Sequence, residues 1–193
     1  VIGRDTRHQA VEGFRSGPLR DVYHWAAWKL VQTDFVGPRG EAFTRTFVSS
    51  PGAVAVVALL DESSDPAMVL VRQYRPALHR MTIELPAGMR DQEGEDGSTT
   101  AARELREEAG YEAGVMERLG SHVSAPGIAD SRVEIFLARR LRSVDVAPHG
   151  PEEDHMTILR PHLSEVLAMI DRGEIDDSKT IIGSLLTRRR LLG

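Results

Sequence analysis

The stretch from Gly88 to Tyr111 constrains this chain more than any other. It contains Arg103-Glu104-Leu105-Arg106-Glu107-Glu108-Ala109-Gly110, with Glu104, Glu107 and Glu108 related by spacings of three and four. On a helix those spacings put the three carboxylates on one face. Like charges so placed repel by roughly 0.2–0.5 kcal/mol per pair, and a hard divalent cation offsets that repulsion. Oxygen ligands without cysteine favour Mg²⁺ or Mn²⁺ over Zn²⁺. Read alone, the run fits a solvated acidic helix as well as a metal-binding one, so the flanking residues have to separate the two.

Gly110 follows the acidic turn as a natural C′ residue, and Ser98 or Asp96 suits the N-cap, which predicts a helix of about three turns. Ala101, Ala102, Leu105 and Ala109 form its expected apolar stripe, so the carboxylates lie beside the buried side. Upstream, Glu84-Leu85-Pro86-Ala87-Gly88 reads as a strand end running into a loop. Pro86 ends the ladder, and Gly88 lets backbone come close to a ligand. Asp91, Glu93, Glu95 and Asp96 make the following loop acidic. Strand, glycine loop, acidic loop and acidic helix together read as a cradle for a metal-bound diphosphate.

These residues resemble the Nudix box, whose pattern is Gly, five residues, Glu, seven residues, then Arg-Glu-aliphatic-x-Glu-Glu-x-Gly-aliphatic. Gly88, Glu95, Arg103, Glu104, Leu105, Glu107, Glu108 and Gly110 match in order. Two departures stand out. Six residues separate Gly88 from Glu95, and Tyr111 replaces the final aliphatic residue. The first lengthens a loop and leaves the helix register unchanged, so it affects Glu95 more than the helix glutamates. The second keeps a bulky apolar body in place. The resemblance implies an α/β/α sandwich with a mixed sheet and a metal-dependent pyrophosphohydrolase. It implies metal ligation by Glu104, Glu107, Glu108 and the Ala87 carbonyl, with Arg103 orienting the carboxylates. The alternative for Arg103 is a plain surface charge.

Composition sets the outer bounds. The chain has 193 residues, 41% hydrophobic and 27% charged, enough for one full core with a small appendage. The longest apolar run, Ala53 to Leu60, is too short to span a bilayer, and no signal-peptide pattern opens the sequence. With no cysteine there is no disulfide, zinc-thiolate site or thiol nucleophile, which fits a cytoplasmic location. The net charge of −5 argues against general nucleic-acid binding. Three arginines at Arg188-Arg189-Arg190 suit a helix C-terminus better than a nucleic-acid patch.

Along the chain, Val1 to Asp21 reads as an irregular lead-in. Tyr23 to Val36 and Ala42 to Ser49 read as strands joined by a turn at Gly37-Pro38-Arg39-Gly40. Short apolar strands are predicted at Ala53–Leu60, Met68–Tyr74 and Met81–Leu85. Further strands are predicted after Tyr111, over Arg132–Leu141 and over Met156–Leu159. Ser164–Arg172 and Ser178–Arg190 carry helical patterning. The expected organisation is a small antiparallel β-sheet subdomain over residues 1–48 and a hydrolase domain over residues 49–193. The resemblance implies that the first part pairs with a second subunit to form a homodimer. Trp25, Trp28 and Phe35 are then interface candidates; an ordinary core role accounts for them equally well.

Substrate choice rests on other residues. Val71-Arg72-Gln73-Tyr74-Arg75-Pro76 places two arginines at a strand end, where each can hold a diphosphate or pair with a nearby acid. With Glu84-Leu85-Pro86-Ala87-Gly88 and Pro126-Gly127, fifteen residues past Tyr111, this resembles the ADP-ribose and nucleotide-sugar pyrophosphatase branch. The tail Gly173 to Thr180 also resembles the start of that branch's C-terminal helix. The resemblance implies substrate contacts by Arg72, Arg75, Glu84, Pro126 and Gly127, and hydrolysis of ADP-ribose to AMP and ribose 5-phosphate. It places the general base in the loop Gly150-Pro151-Glu152-Glu153-Asp154-His155, with Glu153 first and Glu152 second. His155 reads as a proton carrier or a plain loop side chain. Alternative substrates are FAD, a GDP-sugar, coenzyme A or a dinucleoside polyphosphate. A non-catalytic ADP-ribose-binding module is a further reading, disfavoured by the intact glutamates.

Overall fold

A computed structural model of the chain describes residues 10–145 and 155–192. They fall into two compact units. The smaller comprises the described part of Val1–Gly52 together with Val123–Arg132, and the larger Ala53–His122 with the described part of Val133–Gly193.

The smaller unit is a four-stranded antiparallel sheet of β1 (Arg15–Ser16), β2 (Arg20–Trp25), β3 (Trp28–Val36) and β4 (Ala42–Ser49). β3 is its centre. It pairs with β4 from Lys29↔Ser49 to Val36↔Ala42, and its other edge carries β1 and β2. The single strand expected over Tyr23–Val36 is therefore a hairpin. The chain reverses at Ala26-Ala27, with Ala26 at φ +48°, a conformation that no glycine or asparagine signals in the sequence. Strands also begin earlier than the irregular lead-in to Asp21 suggests.

The larger unit holds a seven-stranded mixed sheet. Its strands are β5 (Ala53–Leu59), β6 (Met68–Arg75), β7 (Arg80–Glu84), β8 (Ala87–Met89), β9 (Tyr111–Val123), β10 (Arg132–Ser143) and β11 (Thr157–Leu159). The spatial order is β11-β6-β5-β10-β9, with β7 against β6 and β8 against β5. β5 runs parallel to β10 and antiparallel to β6 and β8, so the sheet is mixed. Helices α1 (Gly97–Ala109), α2 (Leu163–Asp171) and α3 (Ser178–Leu192) complete the unit.

β5 explains the layering. All but its first residue are buried, as expected of a strand covered on both faces. Val54, Val56 and Ala58 pack with Ala101, Leu105 and Ala109 of α1. Ala55, Val57 and Leu59 pack with Leu163 and Val166 of α2, Ile175 and Leu85. Ile181 and Ile182 of α3 lie against the same cluster. Gly183 lets α3 approach closely: a Cβ there would sit 2.8 Å from Leu85 Cδ1 and 2.9 Å from Val57 Cγ2. The result is the expected α/β/α sandwich. Among the described residues no helix is long and apolar enough to cross a membrane.

Candidate active site

Helix α1 starts where Asp96 accepts a hydrogen bond from the Thr99 N–H at 2.8 Å, so Asp96, not Ser98, is the N-cap. It stops at Gly110, whose φ of 69° is left-handed and whose N–H donates to the Arg106 carbonyl at 3.1 Å. Its buried stripe is Ala101, Leu105 and Ala109 with Thr100; Ala102, expected in the stripe, is exposed.

Glu104 and Glu108, one turn apart, are buried at 9% exposure each, on the side of α1 that meets β8. β8 lies where a loop was expected, with Ala87 opposite Ala55 and Gly88 opposite Val54. The Ala87 N–H donates to Glu108 Oε2 at 2.9 Å. A Cβ added at Gly88 would overlap the Glu104 carboxyl group, so only glycine admits that carboxylate here. Glu107 turns toward Arg103. The Arg103 guanidinium Nη1 lies 2.7 Å from Glu104 Oε1 and 2.9 Å from Glu107 Oε2, and Nη2 lies 3.5 Å from Glu95. Glu95 also accepts from Thr100 Oγ1 at 2.9 Å, so the longer loop still brings it onto the helix.

One cation thus faces three carboxylates. Burial pushes the Glu104 carboxyl above its ordinary range; Arg103 opposes this, and Glu107 adds to it. Burial works against the Arg103 charge, yet Glu104, Glu107 and Glu95 outweigh it and raise its pKa. Among the described residues no three acidic or histidine side chains converge as a finished metal cluster, because Arg103 spans Glu104 and Glu107. The donors still fit a hard cation. They are oxygen only, in negative excess, and seated over a glycine that leaves room for Glu104.

Arg75 and Glu84 form a second cluster. Arg75 Nε and Nη2 hold the two Glu84 oxygens at 2.8 and 2.7 Å, a bidentate pair. Thr82 Oγ1 donates to Glu84 at 2.6 Å, and Lys179 Nζ bonds it as well. Burial pushes the Glu84 carboxyl up, but Arg75 and Lys179 prevail and hold it at about 2. Lys179 also reaches Asp177 at 2.9 Å. Asp177 accepts from both the backbone N–H and the hydroxyl of Thr180, and Thr180 Oγ1 accepts from the Leu85 N–H at 2.8 Å. The reading of residue types did not reach Thr82, Asp177, Lys179 or Thr180 as members of this cluster. The available signal was a buried strand end, Leu85 before Pro86, whose N–H must find a partner.

The NUDIX domain family matches residues 50–179, about two thirds of the chain. The ADP-ribose pyrophosphatase of Bacillus subtilis (strain 168) is 36% identical over 171 residues, covering 89% of this chain and 86% of that protein. The ADP-ribose pyrophosphatase of Mycobacterium tuberculosis (strain ATCC 25618 / H37Rv) is 41% identical, covering 77% and 70%. This chain belongs to the Nudix family. The methanol dehydrogenase activator of Bacillus methanolicus is also similar, 39% identical over 80% of this chain and 81% of its own length. A crystal structure of an ADP compounds hydrolase superposes with a TM-score of 0.80 over 96% of this chain and 97% of that one. At 19% identity it speaks for the fold alone.

Beside the Nudix helix lies a cleft of about 540 Å³ lined by Thr99, Ala102, Arg103, Arg106, Glu107 and Glu112. Arg72 is exposed on β6, opposite Ile83 of β7 and Thr157 of β11. Pro126 and Gly127 belong to the smaller unit. There they line a pocket of about 380 Å³ with Phe47, Val123, Ile128, Ala129 and Asp130. Glu152 and Glu153 lie outside the described residues, and His155, just beyond them, is exposed.

Proposed function

We propose that this Nudix protein hydrolyses ADP-ribose at its diphosphate, giving AMP and ribose 5-phosphate. The observation that carries this reading is the pair Glu104 and Glu108, buried on the side of α1 that meets β8, with the Glu104 carboxyl seated over Gly88. Two similar proteins named as ADP-ribose pyrophosphatases support the substrate.

Nudix hydrolases generally use divalent metals. In our reading Glu104, Glu107, Glu108 and the Ala87 carbonyl would hold Mg²⁺ or Mn²⁺. When bound, such an ion supplies positive charge to the diphosphate oxygens and acidifies a coordinated water. Arg103 holds the Glu104 and Glu107 carboxylates on one guanidinium nitrogen and so orients them. Arg72, exposed within β6 and not at its end, offers a bidentate contact to the diphosphate. Arg75 and Glu84 serve the substrate as a pair, with the Arg75 charge steered by Glu84. Glu153, with Glu152 as the second choice, takes a proton from the attacking water. Attack at one phosphorus breaks its bond to the bridging oxygen, which leaves on the other phosphate.

Residues 1–48 are proposed as the dimerisation subdomain. Val22, Tyr23 and Trp25 are 54%, 62% and 41% exposed, and Tyr23, Trp25 and Trp28 stack in a row. Light scattering of Trp25→Arg checks this: a mass equal to wild type removes the proposal. The absence of cysteine fits work in the cytoplasm.

The test of function is product analysis with Mg²⁺ on ADP-ribose, FAD, ADP-glucose, GDP-mannose, coenzyme A and diadenosine polyphosphates, with Glu108→Gln as control. Preferential release of AMP and ribose 5-phosphate, lost in the control, is the expected result. Tight ADP-ribose binding without turnover of any substrate overturns it in favour of a binding module.

A further inference from the structure

The Nudix box leaves unexplained the segment Asp177-Ser178-Lys179-Thr180, at the start of a helix about seventy residues further along the chain. We propose that Thr180 and Asp177 are positioning residues that set the Ala87 backbone against Glu108. This rests on the functional reading above, in which Ala87 and Glu108 are cation ligands.

The argument is a residue-by-residue account of Glu84 to Ala87. The Glu84 side chain is held by Arg75, Thr82 and Lys179. The Leu85 N–H is held by Thr180 Oγ1 at 2.8 Å. The Pro86 carbonyl accepts from the Val56 N–H at 2.9 Å, and Pro86 has no N–H of its own to give. The Ala87 N–H donates to Glu108 at 2.9 Å. Arg75, Thr82, Val56 and Glu108 belong to the sheet or to α1, whereas Lys179, like Thr180, belongs to α3. The tie at Leu85 comes from a side chain 95 positions away. Leu85 is fully buried, so no water replaces that partner.

The roles at Thr180 are fixed by chemistry. Leu85 N–H only donates, so Thr180 Oγ1 accepts there. The Asp177 carboxylate only accepts, so the hydroxyl proton points to it, at 2.6 Å. Asp177 also takes the Thr180 N–H at 2.9 Å and thereby caps α3. The hydroxyl has one proton, so Asp177 decides which way its lone pairs face. Thr180 is 0% exposed and held on both sides, which makes it a rigid pin for Leu85, two residues before Ala87.

The experiment uses the full chain with Thr180→Ser, Thr180→Ala, Thr180→Val and the milder Asp177→Asn. Three quantities are read: Mn²⁺ affinity without substrate by electron paramagnetic resonance, kcat and KM for ADP-ribose, and Tm. The expected result is that Thr180→Ser tracks wild type, while Thr180→Ala and Thr180→Val bind Mn²⁺ about tenfold more weakly and lose about tenfold in kcat. KM stays close to wild type and Asp177→Asn falls between. If Thr180→Val does not fold, the Ser and Ala variants still differ by the hydroxyl. Lower Tm with unchanged Mn²⁺ affinity and kcat overturns the proposal and leaves Thr180 a purely structural contact. A wild-type protein that binds Mn²⁺ but turns over no ADP-ribose sinks the functional reading instead, and the Mn²⁺ series still decides the role of Thr180.

Discussion

Glu84 and Glu104 are both buried carboxylates of the larger unit, and they are shifted in opposite directions. Burial opposes the charge of each. Glu84 meets two cations, Arg75 and Lys179, plus a hydroxyl, and is held ionised with its pKa at about 2. Glu104 shares one guanidinium with Glu107 and Glu95, and burial prevails. At similar exposure, the local count of cations decides the outcome. The Glu84 carboxylate is already matched by Arg75 and Lys179 and calls for no further cation. The Glu104 cluster still calls for positive charge, as a cation-binding site should.

The largest test of this contrast is Glu104→Gln. We expect kcat to fall roughly a thousandfold, equivalent to ~4 kcal/mol of lost charge stabilisation, while thermal unfolding shows Tm unchanged or raised. A loss of Tm with activity retained would reverse the assignment of the two clusters. Glu84→Gln, unlike Glu104→Gln, should cost about 3 kcal/mol in urea unfolding because Arg75 and Lys179 lose their shared anion.

The same variant has a pH signature. The folded Glu84 pKa, about 2, lies below the ordinary value of 4.5. Its contribution to stability is therefore complete above pH 4.5 and lost as the pH falls from there toward 2. Wild-type stability should drop more steeply across that window than Glu84→Gln stability, and parallel acid-unfolding curves would contradict the pairing. Next in size is Gly88→Ala. The new methyl displaces the Glu104 carboxylate, and a shift of about 1 Å costs on the order of a hundredfold in rate, read as kcat with circular dichroism unchanged. The smallest effect is Gly110→Ala, about 1 kcal/mol of stability from the left-handed C-cap, measured as a lower urea midpoint.

How legible the two clusters were in the sequence follows from chain distance. Arg103, Glu104, Glu107 and Glu108 sit within two turns of one helix, so their spacing was enough to place them. The stop at Gly110 and the buried run of β5 were readable for the same local reason. The Glu84 cluster joins residues 9 and 95 positions apart, and no periodicity reports such a pairing. Arg75 was legible as a cation at a strand end, while its bidentate grip on Glu84 depends on β6 and β7 being neighbours in the sheet. The hairpin at Ala26-Ala27 was hidden because an alanine takes the positive φ that glycine or asparagine usually advertises. The Ala87–Met89 strand was hidden because three residues beside a proline carry too little pattern.

The tie between Leu85 and Thr180 also sets an order of events during synthesis. At roughly 5–20 residues per second, the acidic helix leaves the ribosome seconds before the segment that holds the Leu85 N–H. Until then the nascent chain carries its carboxylates beside a strand end with one backbone donor still unmatched. Any messenger truncated before the codon for Thr180 would yield a protein with the whole glutamate motif and an unfinished seat beneath it.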